Sequence, residues 1–415
     1  MKNHLVNDWM EVSLGSLIQK ARPITYGVVQ PGDHDPDGIP LIRGRDYSDG
    51  WRSIDDLFRV SPSVERAFAR ARLKTGDLVI TIKGDVGTVA QVIPELDGAN
   101  ISQTNARLAI DDASALPRFV LHFLQSPLGK LEISKATQGG AQPSLVFGSI
   151  SSFRLPRPPI AEQQRIVTIL DAWDHSIDQT ERLIVAKQRR FNATRVRLIE
   201  AHQSLGIGSN SWELAEFGDI AEELKQRNAA GHGPDRVMGV IKGEGLVPMR
   251  AHVMASDLRR YLVVPPQAIA YNPMRLNIGS IAASRYDEDV LVSPDYVVFR
   301  AREGRADPNF LRFLIGTKRW RDHLITVGSG SVRTRIYFDG LAEMVLRVPD
   351  VREQKRIGQI LTAMEEDLKT TIEAASALRI QKRGLMQKLL TGEWRLDERF
   401  DPSPSPRQAH LGGVS

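Results

Sequence analysis

Two stretches of the sequence resemble each other and decide the fold: "PPIAEQQRIVTILDAWDHSI" at Pro158–Ile177 and "VPDVREQKRIGQILTAMEEDL" at Val348–Leu368. Both contain a proline, then Glu-Gln, then a basic residue before isoleucine, then Ile-Leu. Glu162 and Glu353 lie 191 positions apart (353 − 162). The same shift pairs further identical residues: Leu155 with Leu346, Pro158 with Pro349, Gln163 with Gln354, Ile166 with Ile357, Ile169 with Ile360 and Leu170 with Leu361.

The similarity extends towards the start of the chain, although the shift drifts. "WMEVSLGSL" from Trp9 resembles "WELAEFGDI" from Trp212, and "VGTVA" at Val86 resembles "IGSIA" at Ile278. Such drift indicates insertions and deletions between two copies of one unit. Because the unit is about half of the 415 residues, it is a duplicated module and not a short solenoid repeat.

Each of the two stretches opens a long run in which seam residues, most of them apolar, alternate four and three positions apart. This spacing averages 3.5 residues, the repeat of a coiled-coil seam, and no proline interrupts either run. Lys187 and Lys382 also fall on seam positions, where a charge weakens packing but can fix the register. The predicted seam consists of Ile166, Leu170, Trp173, Ile177, Thr180 and Ile184 in the first helix and Ile357, Leu361, Met364, Leu368, Thr371 and Leu378 in the second.

The ends of the helices carry their own signals. Asp350 and Glu353 form a start resembling a capping box, and glutamate in a first turn suits the helix dipole. We take this as a sufficient structural reason for Glu162 and Glu353. Gly206 and Gly392 stand where helices would end.

The segments before the helices mix short strand-like runs with glycine and proline turns. Examples are "DLVITI" at Asp77 and "DYVVFR" at Asp295, and short helices are predicted over Pro117–Ser126 and Pro308–Gly316. The predicted fold class is α+β, with two similar mixed α/β globular domains separated by a long antiparallel two-helix coiled coil and related by pseudo-two-fold symmetry. The predicted segments are a first domain at 1–157, a helix at 158–205, a second domain at 206–348, a helix at 349–395 and a disordered tail at 396–415.

The chain order sets the expected geometry. The first helix carries the chain to the second domain, and the second helix returns along it, so Thr180 and Thr371 would meet near the two-fold axis. Forty helical residues span about 60 Å. Two similar domains at a fixed spacing suit a ligand that repeats along its length, as duplex DNA does about every 34–36 Å.

Composition limits the alternatives. The chain has no cysteine, which excludes disulfides and thiolate zinc sites and is typical of a reducing cytoplasm. No apolar run reaches the roughly 20 residues of a membrane helix, and "MKNHLVNDWM" lacks the apolar core of a signal peptide. We therefore expect a cytoplasmic protein without membrane contact. The formal net charge of +5 favours a nucleic-acid partner only weakly.

The sequence resembles the specificity subunits of type I restriction–modification enzymes. The resemblance is carried by "LPRPPIAEQQRIVTILDAWDHSI", "EQKRIGQIL", "KRGLMQKLLTGEWRL" at Lys382–Leu396, "WMEVSLGSL" and "YNPMRLNIGSIA" at Tyr271–Ala282. It covers nearly the whole chain, and "GLMQKLLTG" together with the duplication is its most specific part.

The resemblance implies two target-recognition domains, each of which recognises one part of a split double-stranded DNA sequence. It implies helical spacers that dock two methyltransferase subunits, which bind S-adenosylmethionine and methylate adenine. Further restriction subunits, which use ATP to translocate and cleave DNA, belong to the same implied complex. This chain would carry no catalytic residue, no cofactor and no metal.

Catalytic motifs were sought as a check on that implication. "YNPM" at Tyr271 is similar to the Asn-Pro-Pro-aromatic motif of amino-methyltransferases, but Met274 replaces the second proline, and we interpret it as a turn after a strand. The sequence contains no phosphate-binding P-loop, and the nine histidines show no metal-binding spacing. "TIKGDVG" at Thr81 and "VIKGEGL" at Val240 are interpreted as glycine turns that do not align with each other under the repeat shift.

The candidate DNA-contacting residues lie in loops that combine glycine, amides and arginine. "ATQGGAQPS" at Ala136–Ser144 aligns with "VGSGSVRTR" at Val327–Arg335, and "IRGRDYSDGWR" and "PMRLN" are further candidates. Amide side chains suit adenine, whereas arginine suits guanine or phosphate. The predicted contacts are Arg43, Arg45, Gln138, Gln142, Ser144, Arg275, Arg333 and Arg335.

Three alternatives stay open at this point. The chain could be a two-headed adaptor that holds two proteins apart without nucleic acid, the specificity component of a related methylation-only system, or an enzyme with an unrecognised site. Salt-dependent binding to duplex DNA separates the first from the leading hypothesis. A methylation assay on the isolated chain separates the last.

Overall fold

The computed structural model describes residues 9–140, 142–202, 205, 212–250, 254–328 and 335–401. It divides into two compact units. Unit 1 comprises Met1–Thr180 and Ala374–Ser415, and unit 2 comprises Glu181–Glu373. Each unit thus contains a globular part and portions of both long helices. The two units divide both long helices between them, whereas the predicted segments count each helix separately.

Among the described residues, nine strands and five α-helices begin in the first half of the chain, and nearly the same set recurs in the second. The first-half elements are β1 Met10–Ser13, β2 Thr25–Tyr26, β3 Ile39–Ile42, β4 Arg59–Val60, α1 Pro62–Arg66, β5 Leu78–Thr81, β6 Val89–Gln91, β7 Asn100–Ile101, β8 Asn105–Leu108, α2 Pro117–Gln125, α3 Pro127–Ala136, α4 Phe147–Ser151, β9 Arg154–Arg157 and α5 Ile160–Arg195.

The second-half elements are β10 Glu213–Glu216, α6 Phe217–Ile220, β11 Ala221–Leu224, β12 Met238–Ile241, β13 Gly245–Pro248, β14 Leu262–Val264, β15 Ile269–Tyr271, β16 Ile281–Ala283, β17 Val290–Val292, β18 Val297–Ala301, α7 Pro308–Leu314, α8 Lys318–Gly328, α9 Phe338–Ala342, β19 Val345–Val348 and α10 Val351–Leu390. Among the described helices, none combines the length and the apolar character that crossing a bilayer requires.

The sheets repeat the duplication. Unit 1 has an antiparallel sheet in the order β2-β8-β5-β6, and unit 2 has one in the order β11-β18-β15-β16. The register agrees as well, since Thr25 pairs with Arg107 in unit 1 and Leu224 pairs with Val298 in unit 2. Each unit also pairs its first strand with its last, as β1-β9 and β10-β19. The remaining strands differ, with a β4-β3-β7 sheet in unit 1 and two antiparallel pairs, the hairpin β12-β13 and the non-consecutive pair β14-β17, in unit 2. The fold class predicted from the sequence is confirmed.

Each large sheet covers an apolar core that the following helices close. In unit 1 the strand residues Leu78 and Ile80 are buried with Phe123 of α2, and in unit 2 Phe299 is buried with Phe310 of α7. Proline at the first position of α2 and α7 suits a helix start, because that amide needs no partner within the helix. These cores place the connecting turns at the sheet ends, where they can carry function.

Within unit 1 the beginning of α5 runs antiparallel to the end of α10. Glu162 contacts Arg395, and twelve residues further on Asp174 contacts Lys382, so the partner numbers fall as α5 advances. Ile166 and Leu170 are buried in one cluster with Met386 and Leu389. The seam residues Trp173, Ile177 and Thr180 are half-buried between exposed neighbours.

Within unit 2 the end of α5 runs antiparallel to the beginning of α10. Leu198 shares a buried cluster with Ile357 and Leu361. Lys187 donates to Asp367 at 2.6 Å and to the hydroxyl of Thr371 at 2.9 Å. The seam residues Leu368 and Thr371 of α10 are buried, and Ile184 and Met364 are half-buried. Leu378, the last predicted seam residue, belongs to unit 1 and is half-buried. The partner of Thr371 is therefore Lys187, which follows Thr180 by two helical turns in α5. This differs from the pairing of Thr371 with Thr180 that the sequence predicted.

The repeated Glu-Gln fastens each globular part to its helices. Gln163 accepts the Leu116 amide at 2.9 Å, and Gln354 accepts the Asp307 amide at 3.1 Å. Leu116 and Asp307 are the residues just before α2 and α7, so each glutamine serves the free amide at a helix start. Each glutamine also donates to the carbonyl five residues earlier, Pro158 or Pro349. The expectation that this motif only starts a helix was thus incomplete.

The paired glutamates differ in their partners. Glu162 accepts the Trp9 indole at 3.0 Å and both arms of the Arg395 guanidinium at 2.5 and 2.7 Å. Glu353 accepts the Leu205 amide at 2.6 Å, while its second oxygen has no hydrogen-bond partner among the described residues. Asp350 accepts the Glu353 amide at 3.0 Å, as a helix cap does.

The predicted disordered tail begins too early. Arg165 donates to the Leu396 carbonyl at 3.0 Å and pairs with Asp401 at 2.5 Å. Leu396 and Asp401 thus contact Arg165 of α5 through a carbonyl and a carboxylate. The prediction of disorder came from the Pro- and Ser-rich sequence that follows, and a local pattern does not reveal contacts with a remote helix. The rest of the predicted tail, 402–415, lies outside the described residues.

Candidate nucleic-acid interface

The turn between β5 and β6 stands at the end of the large sheet of unit 1. The Thr88 amide donates to the Thr81 hydroxyl at 2.9 Å, and that hydroxyl donates to the Asp85 carbonyl. Gly87 has φ +94°, a conformation that side chains rarely adopt, and a Cβ there would lie 2.6 Å from the Ile133 side chain of α3. The turn is therefore fixed, and its exposed residues Lys83 and Asp85 project from a rigid base.

Unit 2 builds the matching turn between β15 and β16 from a different sequence. Asn272 accepts the Met274 amide at 3.0 Å, and the Arg275 carbonyl accepts the Ser280 amide at 3.0 Å. Gly279 has φ +93°, nearly the value of Gly87. "YNPM" is thus part of a turn after a strand, as interpreted, and it corresponds to "KGDVG" of unit 1. Arg275 is exposed on it.

A second loop lies beside this turn in both units. The Leu145 amide donates to the Ile82 carbonyl at 2.9 Å, and the Ile336 amide donates to the Pro273 carbonyl at 3.2 Å. These pairs are equivalent under the shift of 191. The residue that directly follows each predicted loop therefore contacts the β5–β6 or the β15–β16 turn. We call each combination of this turn with the described residues of the adjoining loop the turn-and-loop site.

In unit 1 the second loop is closed by its own backbone. The amides and carbonyls of Gln138 and Ser144 exchange hydrogen bonds at 2.9 and 2.8 Å. Gln138 and Gln142 are exposed, and Ser144 is half-buried. The two amide side chains thus stand at the exposed end of a narrow hairpin, next to Lys83, which bridges to Ser144 through its backbone.

In unit 2 the second loop is described only from residue 335 onwards. Arg335 is exposed and donates to the Tyr337 hydroxyl at 3.3 Å, and this hydrogen bond raises the pKa of its guanidinium. Arg333 lies outside the described residues. Lys242, in the turn between β12 and β13, packs over Gly279. Unit 2 therefore brings Lys242, Arg275 and Arg335 to neighbouring segments.

The segment "IRGRDYSDGWR" borders the unit 1 site and is anchored from below. The Tyr47 hydroxyl donates to Asn105 at 2.7 Å, and burial, with help from the nearby Asp46 carboxylate, strongly raises the pKa of Tyr47. The Trp51 indole donates to the Gln91 carbonyl of β6 at 3.0 Å. Gly44 is required for close approach, since a Cβ there would lie 2.7 Å from Thr81.

The two arginines of that segment that were predicted to contact DNA differ in their surroundings. Arg43 places its backbone amide 2.8 Å and its Nε 3.3 Å from the buried Asp46, and its guanidinium lies 5.1 Å from the Phe58 ring centre. Arg43 is thus held by internal contacts, and its contact with DNA stays a prediction. Arg45 is exposed and keeps the candidate role.

These segments enclose an open groove of about 1350 Å³ in unit 1. Tyr47–Trp51, the Gly84–Thr88 turn, α3 and Pro143 line it, with Arg118, Gln125 and Lys130 along one wall. A smaller groove of about 430 Å³ occupies the equivalent place in unit 2, beside β16 and Arg312. Sequence reasoning missed Trp51, Lys83 and Lys130, although the glycines of "KGDVG" were a usable signal for a surface turn.

One cluster of potential metal ligands lies in the described part of the chain: His122, Asp171 and Asp174. His122 is fully buried and lies 2.8 Å from Asp171. Arg118 also donates to Asp171 at 2.7 Å, and Lys382 donates to Asp174. Two cations therefore already neutralise the two carboxylates, and a metal ion would have to displace them. The cluster is better explained as an internal ion-pair network.

Comparison with known proteins agrees with this architecture. Residues 7–186 match the family model described as the type I restriction modification DNA specificity domain. The chain is 30% identical over 185 residues to the specificity subunit of the type I restriction enzyme EcoBI from Escherichia coli, a match that covers 45% of this chain and 39% of that protein.

Two further comparisons extend along nearly the whole chain. The putative type I restriction enzyme MjaX specificity subunit of Methanocaldococcus jannaschii is 22% identical, covering 94% of each chain. The crystal structure of a type I restriction–modification S subunit from M. genitalium superimposes with a TM-score of 0.55 at 13% identity, covering 94% of this chain and 97% of that one. The chain is thus similar to the DNA specificity subunits of type I restriction–modification systems, and its first half carries the match to their family model.

Proposed function

We propose that this chain recognises a split DNA sequence, with the turn-and-loop site of each unit reading one half. The observation that supports this most strongly is the repetition of one rigid site with different exposed side chains. Unit 1 presents Lys83, Gln138 and Gln142, whereas unit 2 presents Arg275 and Arg335. A conserved backbone with divergent side chains is what two recognition sites for two different sequences require.

The side chains fit base and phosphate recognition. Gln138 and Gln142 have the donor and acceptor that pair with adenine, and the arginines can donate two hydrogen bonds to guanine or bind phosphate. The protein grooves beside the two turn-and-loop sites leave room for part of a DNA duplex to approach. Arg45 and Ser144 would contribute from the margins of the unit 1 site.

The chain would act without chemistry of its own. We assign S-adenosylmethionine and ATP to partner subunits: two methyltransferase subunits docked along α5 and α10, and restriction subunits that translocate and cleave DNA. The exposed parts of the two helices, including the last turns around Lys388, would contact the methyltransferases. The ion pairs that neutralise Asp171 and Asp174 agree with a chain that holds no metal of its own.

The test is duplex DNA binding by the full chain assembled with its methyltransferase subunits, at two salt concentrations. Affinity for the target duplex should fall on the order of 10³-fold or more between 50 and 200 mM salt if about six phosphates are contacted. Arg335→Ala should cost about 1–3 kcal/mol on the target duplex and relax one base position.

Arg259→Ala is a matched control, because Arg259 is an exposed arginine of unit 2 that pairs with Asp257. It should leave specificity unchanged. Assembly with the partners but no salt-dependent DNA binding would instead support a protein adaptor. Methylation by the isolated chain would contradict the non-catalytic role.

A further inference from the structure

We propose that a basic cleft in unit 1, separate from the turn-and-loop site, binds a phosphate group of the DNA backbone. The cleft has a volume of about 680 Å³. This proposal rests on the proposed function, because duplex DNA is the source of the phosphate. Its basic lining residues are Arg22, Arg70, Arg72, Lys74 and Arg107.

The floor of the cleft is a buried arginine without an acidic hydrogen-bond partner. Arg107 of β8 is 3% exposed. Its guanidinium donates to the carbonyls of Arg70 at 2.6 Å, Arg72 at 3.2 Å and Pro23 at 3.0 Å. Its Nε has no hydrogen-bond partner among the described residues. The carbonyls fix the side chain but leave its positive charge without a direct counter-ion.

Comparison with unit 2 shows that the fold does not need this charge. In the same register of the matching strand, unit 2 has Val298, which is fully buried in an apolar cluster. Burying a guanidinium is costly unless it is paired. Burial, together with the nearby Arg22, lowers the pKa of Arg107, although the Asp77 carboxylate that pairs with Arg22 partly opposes this. A buried cation at a position that accepts valine indicates a ligand that supplies negative charge.

The rim adds further cations whose positions are fixed. Arg70 is exposed, donates to the Thr25 hydroxyl at 3.3 Å and lies 5.7 Å from the Tyr26 ring centre. Lys74 is exposed at the same rim. Guanidinium groups suit phosphate because several N–H donors point in one plane.

Acidic residues near the cleft offset part of this charge. Arg22 pairs with Asp77 at 2.6 Å, and Arg72 pairs with Glu65 at 2.5 Å. Asp97 lines the cleft and accepts the Thr75 amide at 2.8 Å. Five basic side chains thus face three acidic ones, so a positive charge remains for one phosphate.

The experiment measures how the DNA affinity of the assembled complex depends on salt for Arg70→Ala and Lys74→Ala. Each lost phosphate contact should reduce the slope of log affinity against log salt by about 0.9. The loss should be the same on target and non-target duplexes, because phosphate contacts carry no base information. Lys318→Ala, which removes an exposed lysine of unit 2 paired with Asp322, is the matched control.

Arg107→Val supplies a second variant, with the residue that unit 2 uses at this place. It should fold, and it should lose a similar part of the salt slope. Unchanged slopes in Arg70→Ala and Lys74→Ala, with normal target binding by the wild type, would overturn the cleft assignment alone. A wild-type complex that binds no DNA would instead overturn the proposed function.

A second arm separates the backbone phosphate from a free anion. The thermal midpoint of the full chain is compared in inorganic phosphate and in chloride at equal ionic strength. Stabilisation by phosphate that is lost in Lys74→Ala, without any change in the DNA salt slope, would assign the cleft to free phosphate and contradict the proposal. A changed salt slope supports it in either case.

Discussion

The two units solve the same packing problem with different chemistry where the helix after the large sheet meets the long helices. In unit 1 this junction is polar: His122 and Arg118 of α2 contact Asp171, and Lys382 contacts Asp174. In unit 2 the positions of His122 and Lys382 are occupied, under the shift of 191, by Phe313 and Phe191. Their rings meet edge to face, with centres 5.9 Å apart.

Acidic residues at this junction are retained only in part. Asp174 corresponds to Glu365, which accepts Arg312 at 2.7 Å, and Asp171 corresponds to Thr362. The glutamines of the Glu-Gln pairs, in contrast, are identical in both units and bind equivalent backbone groups. The comparison teaches that duplication preserved the residues that bind backbone and allowed side-chain-to-side-chain contacts to diverge.

The largest expected difference between the two units concerns the loss of stability when each paired glutamate is removed. Glu162→Ala leaves the Trp9 indole and the Arg395 guanidinium without their acceptor, and we expect a loss of about 2–4 kcal/mol in unfolding free energy. Glu353→Ala removes the acceptor of the Leu205 amide and an oxygen that has no hydrogen-bond partner among the described residues. We therefore expect a smaller loss, about 1 kcal/mol in unfolding free energy.

Urea unfolding of both variants measures the difference. Glu162→Gln is the control, because it keeps the shape and one acceptor and should lose less than Glu162→Ala. Equal losses in Glu162→Ala and Glu353→Ala would show that the Trp9 and Arg395 contacts contribute little.

The glutamines should behave alike. Gln163→Ala and Gln354→Ala each leave a helix-start amide and a proline carbonyl without a partner, and we expect each to lose about 1–2 kcal/mol. The same urea titration measures both. A difference larger than about 1 kcal/mol would mean that the motif is structural in one unit only.

The polar junction of unit 1 predicts that the stability of the protein depends on pH. Burial lowers the pKa of His122, although the hydrogen bond to Asp171 opposes this, so folding favours the neutral ring. Stability should therefore be complete above the ordinary pKa of 6.5 and fall as the pH drops below it. Facing the ring are Arg118, Asp171, Asp174 and Lys382.

His122→Phe, which installs the residue of unit 2, should weaken this dependence between pH 7 and pH 5; a part remains, because burial also lowers the pKa of His202 in unit 2. It should also lose about 1 kcal/mol at pH 7, through the bond to Asp171. Thermal midpoints across that range measure both effects. A wild type with a flat profile, or a variant with an unchanged slope, would contradict the assignment to His122.

The smallest expected effect concerns Lys187, a charged residue on the seam of unit 2. Its counterpart under the shift is Leu378, and its partners Asp367 and Thr371 are 62% and 9% exposed. Because a largely exposed ion pair contributes little, Lys187→Leu should change the unfolding free energy by less than about 1 kcal/mol. A larger loss would assign the lysine a role in fixing the helix register.

The sequence predicted the parts of this fold that repeat at short range. The 3.5-residue spacing anticipated α5 and α10, and alternating runs anticipated β5 and β18. The proline starts anticipated α2 and α7. These features depend on neighbouring residues, so a local pattern contains them.

Contacts between remote segments could not be predicted in this way. Nothing near Arg395 indicates that it pairs with Glu162, 233 positions earlier, or that residues 396–401 lie on α5. The match of "VGTVA" with "IGSIA" aligned Gly87 with Gly279, but the residues before them in "KGDVG" and "NPMRLNIG" differ too much for the shared turn to be predicted. Arg43 is different, because Asp46 three residues later was a local signal for an internal pair.

The most direct test of two-site recognition is to map methylated adenines in a host genome that carries the complex with single-unit variants. Gln138→Ala with Gln142→Ala should make only one half of the split motif degenerate, and Arg275→Ala with Arg335→Ala only the other half. The separation of the two halves should not change in either case. Degeneracy in both halves from one double variant, or unchanged motifs from both while methylation continues, would contradict one site per unit.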